Sequence, residues 1–365
     1  MHMFDFVFSN PFIPGFVTAI LSILLVLTKG WHGKHSCDPI IGIQKFHTGQ
    51  TPRVGGIAIF CGLLTAWWFS SGKEGQLLGY MLLAGLPAFA AGLIEDVTKK
   101  VGVITRLVAT MVSGVAAWWL TGYSLSHLHI PGVDTLLLFV PIAVGFTTFA
   151  VAGVANATNI IDGFNGLAAS TIMIGFSAFS LIAWQVGDFE LARLCFVFIA
   201  VAGGFLVVNF PFGKIFMGDG GAYLLGFMLA WVAVMLPFRN PTVSVWAPLV
   251  ACAYPVLETA FSMWRRYHRS GQHPGQADSL HLHSLMYCRV ARVVFKDARP
   301  QLKNSMTSLF MWPFPLLAAL ISVFWYSNTP VLMVGFVVCV LCYRLIYLRL
   351  TQFVWCIRPA TISRD

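Results

Sequence analysis

Five polar stretches interrupt an otherwise apolar chain of 365 residues, and they contain residue types that bind anions and metal ions. The first is KFHTGQTPRVGG at 45–56, in which the cations Lys45 and Arg53 lie close to glycines. Glycine lets a backbone approach a ligand closely, so this stretch is a candidate binding loop. The alternative interpretation is a positively charged turn at a membrane surface.

Two adjacent carboxylates mark the second stretch, GLIEDVTKK at 92–100. Paired carboxylates at a membrane boundary, here Glu95 and Asp96, suit a divalent metal ion or a general base. The same residues have i,i+4 spacing to Lys99 and Lys100, which is typical of ion pairs on a helix surface. The pattern alone favours neither interpretation.

The third stretch, NATNIIDGFNG at 156–166, repeats a polar side chain at every third position. These side chains belong to Asn156, Asn159, Asp162 and Asn165. Asn and Asp often cap helices or form turns, and the two glycines are compatible with that simpler role. The density of amide and carboxylate groups, without any Lys or Arg, favours hydrogen bonding to a base or ribose and the binding of a cation.

A single carboxylate among glycines characterises the fourth stretch, NFPFGKIFMGDGG at 209–221. It belongs to Asp219 and precedes an apolar run. Mg²⁺ keeps several waters and takes only one or two protein carboxylates together with substrate phosphates, so one aspartate is enough for such a site. Phe216 is suited either to stacking on a nucleobase or to packing against the start of a helix.

The fifth stretch, DSLHLH at 278–283, places two histidines in a basic loop. Near phosphate groups, His281 and His283 would donate hydrogen bonds or shuttle a proton. Histidines at a membrane interface can also lack any such task. A zinc site with Cys288 or His273 is a third interpretation, but its spacing matches no standard zinc motif.

Composition indicates which environment these stretches occupy. Hydrophobic residues make up 58% of the chain and charged residues only 10%, whereas soluble domains contain about a quarter charged residues. Most of the exterior must therefore face lipid. The formal net charge of +9 is then explained by cytoplasmic loops and anionic headgroups, and no nucleic-acid partner is expected.

Apolar stretches long enough to cross a bilayer recur along the whole chain. They predict an all-α polytopic membrane protein with about eleven transmembrane helices. We expect one integral membrane domain over 1–365, with a cytoplasmic loop at 265–304 that carries the histidines. The predicted spans are 12–28, 54–70, 77–94, 103–121, 136–154, 167–184, 191–210, 222–238, 243–264, 305–326 and 330–350.

The distribution of basic residues predicts the orientation. With the N-terminus in the periplasm, about twenty of the 23 Lys and Arg residues fall in inner loops, as the positive-inside rule requires. An odd number of spans then leaves the C-terminus in the cytoplasm. All five polar stretches lie on the cytoplasmic side of this predicted topology.

The runs PRVGG, NATNIIDGFNG and FPFGKIFMGDGG, in this order, resemble a known family. The chain is similar to the polyprenyl-phosphate N-acetylhexosamine-1-phosphate transferases (glycosyltransferase family 4), in particular the undecaprenyl-phosphate GlcNAc-1-phosphate transferase-like branch. The resemblance extends from about Lys45 to His283. Pro52 and Arg53 occupy the position of a PTMGG run in the peptidoglycan-precursor branch, which disfavours a muramoyl-pentapeptide substrate.

The resemblance implies transfer of a sugar 1-phosphate from a UDP-sugar to undecaprenyl phosphate, with release of UMP and a requirement for Mg²⁺. By position, Asp219 matches the family's magnesium-binding aspartate. Glu95 and Asp96 lie where the family usually has two aspartates, so Asp96 is a candidate for metal binding or for activating the lipid phosphate. The longer side chain of Glu95 disfavours a metal role, and we assign it to substrate binding.

The resemblance also assigns nucleotide contacts. Asn159 and Asp162 match the polar nucleotide-binding motif, in which we assign a catalytic role to Asp162, and Phe216 matches an aromatic residue that stacks on uracil. Asn165 replaces an aspartate that would contact the base, keeping an acceptor while losing the charge. The further substrate-binding candidates from these stretches are Asn156 and Asn209.

The phosphate-binding residues follow from the same comparison of motifs. His281 and His283 match a histidine motif near the diphosphate and are assigned to catalysis, whereas Ser284 lies where a further histidine is often found. Lys99 and Arg106 fall where basic residues meet the lipid phosphate. They join Lys45 and Arg53 as predicted substrate-binding cations.

A secondary transporter is the alternative function for a chain with many spans and few polar residues. Transporters place ionisable residues near the bilayer midplane and in broken helices, whereas the candidates here gather at inner span ends, apart from Glu258. The enzyme interpretation predicts UDP-N-acetylhexosamine, undecaprenyl phosphate and membrane lipids as partners. A homodimer is one assembly that such a chain could form.

Overall fold

The computed structural model describes residues 12–37, 51–268 and 280–353, and regular structure within them is helical apart from one isolated bridge between Cys37 and Pro52. A π-helical turn, Tyr287–Ala291, follows the short helix Leu282–Met286. In chain order the helices are α1 (Phe12–Leu27), α2 (Lys29–Ser36), α3 (Gly55–Trp68), α4 (Gly72–Thr98), α5 (Val103–Thr121), α6 (Val133–Leu137), α7 (Val140–Ile160), α8 (Leu167–Gln185), α9 (Phe189–Asn209), α10 (Gly218–Arg239), α11 (Trp246–Ala251), α12 (Ala253–His268), α13 (Leu282–Met286), α14 (Arg292–Val294), α15 (Pro300–Met311), α16 (Pro313–Phe324) and α17 (Thr329–Thr351).

The prediction of an all-α polytopic membrane protein is confirmed. In the described part of the chain, eight helical segments are long and apolar enough to cross a membrane, or nine if α1 and α2, which meet at 87°, count as one bent span. α3 is apolar but has only 14 residues. Length and composition therefore support eight or nine spans, and the count of eleven stays a prediction.

The predicted span 243–264 is not one continuous helix. The structure divides it at Cys252 into α11 and α12. Two prolines accompany the break, Pro248 inside α11 and Pro255 in the first turn of α12. Proline lacks an N–H and is tolerated mainly in a first turn, which is why an apolar run of sufficient length forms two shorter helices here.

α10 is the central helix of the bundle. Nearly all of its side chains are buried, from Gly218 to Pro237. A helix that is apolar around its whole circumference belongs in a protein core or a membrane span, and the burial of its side chains places α10 in the core of the bundle. α4, α7, α8 and α3 pack against it, so the loops at their ends converge on the first turn of α10.

Glycines let three of these helices approach backbone to backbone. A Cβ atom on Gly92 of α4 would lie 2.6 Å from the carbonyl oxygen of Asp219, and one on Gly56 of α3 would overlap the nitrogen of Gly221. Gly218 has a φ of +72°, and a Cβ there would lie 2.5 Å from a carboxylate oxygen of Asp96. We call these contacts the glycine seam. The glycine of PRVGG at position 56 thus packs helices together, and the binding of a ligand by this stretch stays a prediction.

Candidate active site

A short backbone pairing joins the first polar stretch to the fourth. The N–H of Phe216 donates to the Pro52 carbonyl at 2.8 Å, and the N–H of Gly55 donates to the Phe216 carbonyl at 3.0 Å. The N–H of Gly56 then donates to the Met217 carbonyl at 2.9 Å. These bonds hold Arg53, which lies between Pro52 and Gly55 in the chain, beside the start of α10.

Asp219 is the centre of the charged cluster. Its Oδ1 accepts a hydrogen bond from Arg53 Nη2 at 2.8 Å, and its Oδ2 forms an ion pair with Arg106 Nη1. The residue is only 4% exposed, so both guanidinium groups act on it with little screening by water. Two of the predicted phosphate-binding cations therefore converge on the predicted metal ligand.

Asp96 caps the first turn of α10. Its Oδ1 accepts from the N–H of Asp219 at 2.8 Å and its Oδ2 from the N–H of Gly220 at 2.9 Å. A carboxylate at a helix N-terminus satisfies unpaired N–H groups and interacts favourably with the helix dipole. Arg53 Nη2 lies 3.6 Å from the same Oδ1. The structure thus gives Asp96 a positioning task, and its roles in metal binding and catalysis stay predictions.

Asp162 approaches the same turn from the loop between α7 and α8. It accepts a hydrogen bond from the N–H of Gly218. Burial raises the pKa of its carboxyl to about 8; Arg53 and the Gly218 bond lower it, and Asp96 raises it further. Three aspartates therefore surround the first residues of α10.

The first two asparagines of the third stretch meet at Tyr223, a residue that the sequence analysis missed. The Tyr223 hydroxyl donates to Asn156 Oδ1 at 2.9 Å, and the Asn159 side chain hydrogen-bonds to the same hydroxyl. Arg106 lies over the Tyr223 ring, 5.8 Å from its centroid. The i,i+4 spacing of Asp219 and Tyr223 was the signal that could have identified it, because such residues share one helix face.

Asn165 and Asn209 form hydrogen bonds that connect neighbouring loops and helices. Asn165 Nδ2 donates to Ser305 Oγ at 3.1 Å, and its backbone N–H donates to Asn304 Oδ1 at 2.8 Å. Asn209 accepts from the N–H of Gly166 at 2.6 Å and donates to the Ile215 carbonyl at 2.7 Å. Their amides are thus engaged in joining loops, and their predicted substrate contacts gain no support from this geometry.

Glu95 and Lys99 shape the turn between α4 and α5. Glu95 Oε2 accepts from the N–H of Val101 at 2.7 Å, and Lys99 Nζ donates to the backbone carbonyl of Asp96 at 2.6 Å. Lys99 ends α4 with a φ of +56°. This turn presents Arg106, one helical turn into α5, to Asp219. The substrate contacts predicted for Glu95 and Lys99 stay predictions.

A buried glutamate organises the histidine motif. Glu258 of α12 is fully buried, and its Oε1 lies 2.9 Å from His281 Nδ1. The N–H of Leu282 donates to both of its oxygens, at 3.1 and 3.3 Å. His283 Nδ1 lies 3.9 Å from Oε2 and 3.2 Å from the Tyr254 hydroxyl. A carboxylate that binds Nδ1 of a histidine fixes its tautomer and orientation, and leaves Nε2 for chemistry.

The histidine motif adjoins the third polar stretch. The rings of His281 and His283 stack at 5.2 Å, and Phe164 packs edge-on against His283 at 5.5 Å. His283 Nε2 lies 3.7 Å from where a Cβ on Gly163 would be, next to Asp162. The second, third, fourth and fifth stretches therefore meet with Arg53 at one end of the bundle. Lys45 lies outside the described residues.

The cluster suits Mg²⁺ through Asp219. Within residues 12–37, 51–268 and 280–353, no group of three or more His, Cys, Asp or Glu side chains surrounds a common metal position. Asp219 Oδ2, however, is buried and accepts no well-aligned hydrogen bond in that part of the chain, its partner being the Arg106 charge. A hard oxygen ligand with spare capacity meets the requirement of a cation that takes few protein ligands and adds substrate phosphates.

Comparisons with known proteins agree with the geometry. A sequence model described as "Glycosyl transferase family 4" matches residues 78–237, from α4 to the end of α10. The chain is 30% identical over 255 residues to the undecaprenyl-phosphate alpha-N-acetylglucosaminyl 1-phosphate transferase of Yersinia pestis, covering 67% of each protein. It is 27% identical over 275 residues to a probable undecaprenyl-phosphate N-acetylglucosaminyl 1-phosphate transferase of Bacillus subtilis, covering 73% of this chain and 75% of the other. A phospho-N-acetylmuramoyl-pentapeptide-transferase of Geobacillus is 32% identical over 201 residues, covering 51% of this chain and 61% of the other. On this evidence, the chain belongs to glycosyl transferase family 4.

Proposed function

We propose that this protein transfers an N-acetylhexosamine 1-phosphate from a UDP-sugar to undecaprenyl phosphate, releasing UMP and starting a lipid-linked cell-surface polysaccharide. N-acetylglucosamine is the first sugar to test, because the Yersinia pestis and Bacillus subtilis relatives are named for it. The observation that carries the proposal is Asp219 held between Arg53 and Arg106 at one end of a bundle of apolar helices. Such a cluster suits a reaction that brings two anionic phosphates together beside a lipid surface.

We further propose that the site faces the cytoplasm at the bacterial inner membrane, with eleven spans and a periplasmic N-terminus. The support is the asymmetry of basic residues along the chain. At the other end of the bundle, Arg193 and Arg239 are paired with Glu74, Asp188 and Glu190. The end with the candidate site keeps a surplus of cations, which is expected for the cytoplasmic side.

Mg²⁺ is the proposed cofactor. Asp219 would be its main protein ligand, and the second carboxylate predicted for it is Asp96, whose oxygens each keep acceptor capacity beyond one N–H bond. When bound, Mg²⁺ neutralises negative charge on the diphosphate and on the departing UMP. All other roles in the proposed reaction belong to side chains of the protein.

Arg53 and Arg106 would receive the substrate phosphates. Both guanidinium groups are directed at Asp219. Each presents several N–H donors in a planar fork, so it can keep the carboxylate and still bind a phosphate oxygen. Together they would counter the repulsion between the anionic lipid phosphate and the anionic donor.

The bond change that follows is a direct displacement. An oxygen of the lipid phosphate attacks the phosphorus that carries the sugar, and the bond from that phosphorus to the UMP oxygen breaks. A phosphate monoester is largely ionised near neutral pH, so no strong base is required. His281, whose Nδ1 donates to Glu258, would donate a hydrogen bond from Nε2 to the diphosphate in its imidazolium form, and His283 would do so when its Nδ1 accepts from the Tyr254 hydroxyl. A phospho-sugar trapped on an aspartate would contradict direct attack.

The test is UMP release by the purified protein in detergent. We expect UMP from UDP-N-acetylglucosamine only when undecaprenyl phosphate and Mg²⁺ are both present. A panel that includes UDP-N-acetylgalactosamine and UDP-N-acetylmuramoyl-pentapeptide would identify the donor. If no UDP-sugar gives UMP, the proposal fails, and uptake of a solute into vesicles without UMP release would support a transporter instead.

A further inference from the structure

Tyr223 is buried in the middle of the candidate site without being one of its charged residues. It lies one helical turn after Asp219 on α10 and is 1% exposed. A tyrosine hydroxyl usually needs a hydrogen-bond partner when it is buried. Here the partners are Asn156 and Asn159, two of the residues proposed to contact the substrate.

The Tyr223 hydroxyl accepts a hydrogen bond from one asparagine amide and donates one to the other, so the two amides are oriented in opposite directions. It has one hydrogen, which it donates to Asn156 Oδ1 at 2.9 Å. Its bond to Asn159 therefore has to be donated by Asn159 Nδ2. Asn156 is left to present N–H groups to a ligand, and Asn159 is left to present its carbonyl oxygen.

A donor beside an acceptor recognises a matching pair on the ligand. Asn156 and Asn159 are three residues apart on α7, so their side chains are neighbours on one helix face. The edge of a uracil base, where a carbonyl adjoins an N–H, offers the complementary pair. Without the tyrosine hydroxyl each side-chain amide could rotate by half a turn. In one of its two orientations, a donor would then face a donor of the base, or an acceptor would face an acceptor.

We propose that Tyr223 is a positioning residue that fixes the orientation of Asn156 and Asn159 and thereby sets the affinity for the nucleotide part of the donor. This inference rests on the proposed function. The ring of Tyr223 has a separate contact with Arg106, 5.8 Å from the ring centroid. Tyr223→Phe keeps that ring and removes only the hydroxyl, so it isolates the proposed effect.

The experiment compares the purified wild type and Tyr223→Phe with UDP-N-acetylglucosamine as donor. We expect KM for the donor to rise about threefold to tenfold, as for the loss of one hydrogen-bonding group, with kcat within about twofold. Binding of UMP, measured by calorimetry, should weaken by a similar factor. The matched control is Tyr123→Phe, because Tyr123 packs on Phe238 at the other end of α10, and its KM should not change.

A double-mutant cycle with Asn156→Ala tests whether Tyr223 acts through the asparagines. If it does, Tyr223→Phe has a much smaller effect on KM in the Asn156→Ala background. An unchanged KM in Tyr223→Phe overturns the inference. So does a loss of kcat and thermal stability without a change in KM or UMP binding, because that result describes a packing role. A wild type that forms no UMP from any UDP-sugar overturns the proposed function, and the inference with it.

Discussion

Each end of α10 has an aspartate carboxylate paired with arginine, but the two carboxylates differ in how many hydrogen bonds they accept. At its last residue, Arg239 donates from Nε to Asp188 Oδ2 and from Nη2 to Asp188 Oδ1, both at 2.8 Å. The N–H of Leu191 and the Asn240 amide also donate to Asp188, so each of its oxygens accepts twice. At the first turn, Asp219 has one hydrogen bond from Arg53 and an ion pair with Arg106.

This difference separates a structural ion pair from a functional one. Asp188 begins α9 and Arg239 ends α10, so their fork-to-fork pairing ties two helix ends together and leaves no acceptor capacity. Asp219 is buried just as deeply, yet one of its oxygens retains capacity for a ligand. Spare capacity at a buried carboxylate costs stability unless a ligand uses it, and that is the arrangement expected of a binding site.

The largest effect should come from Asp219→Ala. We expect UMP formation to fall at least about a thousandfold, because charge stabilisation at the reacting phosphate is lost. Expression and thermal stability in detergent should stay near wild type, since both arginines keep other partners or solvent contact. Mg²⁺-dependent activity in this variant would place the metal on another residue.

Asp188→Asn is the counterpart at the other end of α10. Breaking its buried pair with Arg239 should lower the free energy of unfolding by about 3 kcal/mol. The activity of the folded fraction should change by less than about twofold. If Asp188→Asn instead lost activity at unchanged stability, the contrast between the two ends of the helix would be wrong.

Glu258→Gln should have an intermediate effect. Loss of the charge that fixes the His281 ring should reduce kcat by about tenfold to a hundredfold, as for other residues that orient a functional histidine. The measurement is the steady-state rate of UMP release. Glu74→Gln is the matched control, because Glu74 pairs with the exposed Arg193 at the other end of the bundle and such pairs contribute little. Equal rates of UMP release in Glu258→Gln and Glu74→Gln would contradict a functional role for Glu258.

The raised pKa of Asp162 predicts a pH dependence of stability. Asp162 has a pKa of about 8 in the folded protein, chiefly through burial, with Arg53 opposing and Asp96 reinforcing the shift. The ordinary value is about 4, so its contribution to stability is fully present below about pH 4 and is lost as the pH rises to about 8. Thermal unfolding without metal should show a decline in midpoint from pH 5 to 8 that is shallower in Asp162→Asn. If the midpoint declined equally with pH in the wild type and in Asp162→Asn, the raised pKa of Asp162 would be contradicted.

The sequence was sufficient to locate the site but not to assign every residue in it. Polar runs between apolar spans are local features, and four such runs do meet with Arg53 around the first turn of α10. Asn165 and Asn209 could not be told from ligand-binding residues, because an amide that joins two loops and one that binds a nucleotide have the same residue type. Only the positions of Ser305 and Gly166 separate the two cases.

Two residues illustrate why the remainder required coordinates. Glu258 precedes His281 by 23 residues and lies on a separate amphipathic helix, α12, so no spacing rule connects them. The i,i+4 spacing to Asp219 could have identified Tyr223 as a site residue, but an aromatic ring is equally suited to packing in the protein core. The division of the predicted span 243–264 did not follow from apolar length for a similar reason, because prolines decide whether one run forms one helix or two.

The glycine seam has a mechanical consequence. Because α3, α4 and α10 meet without intervening side chains at Gly56, Gly92 and Gly221, they cannot slide or tilt without backbone collisions. Arg53, Asp96 and Asp219 are thus mounted on one stiff platform. We expect the two carboxylates to move only together with these helices, as a single body.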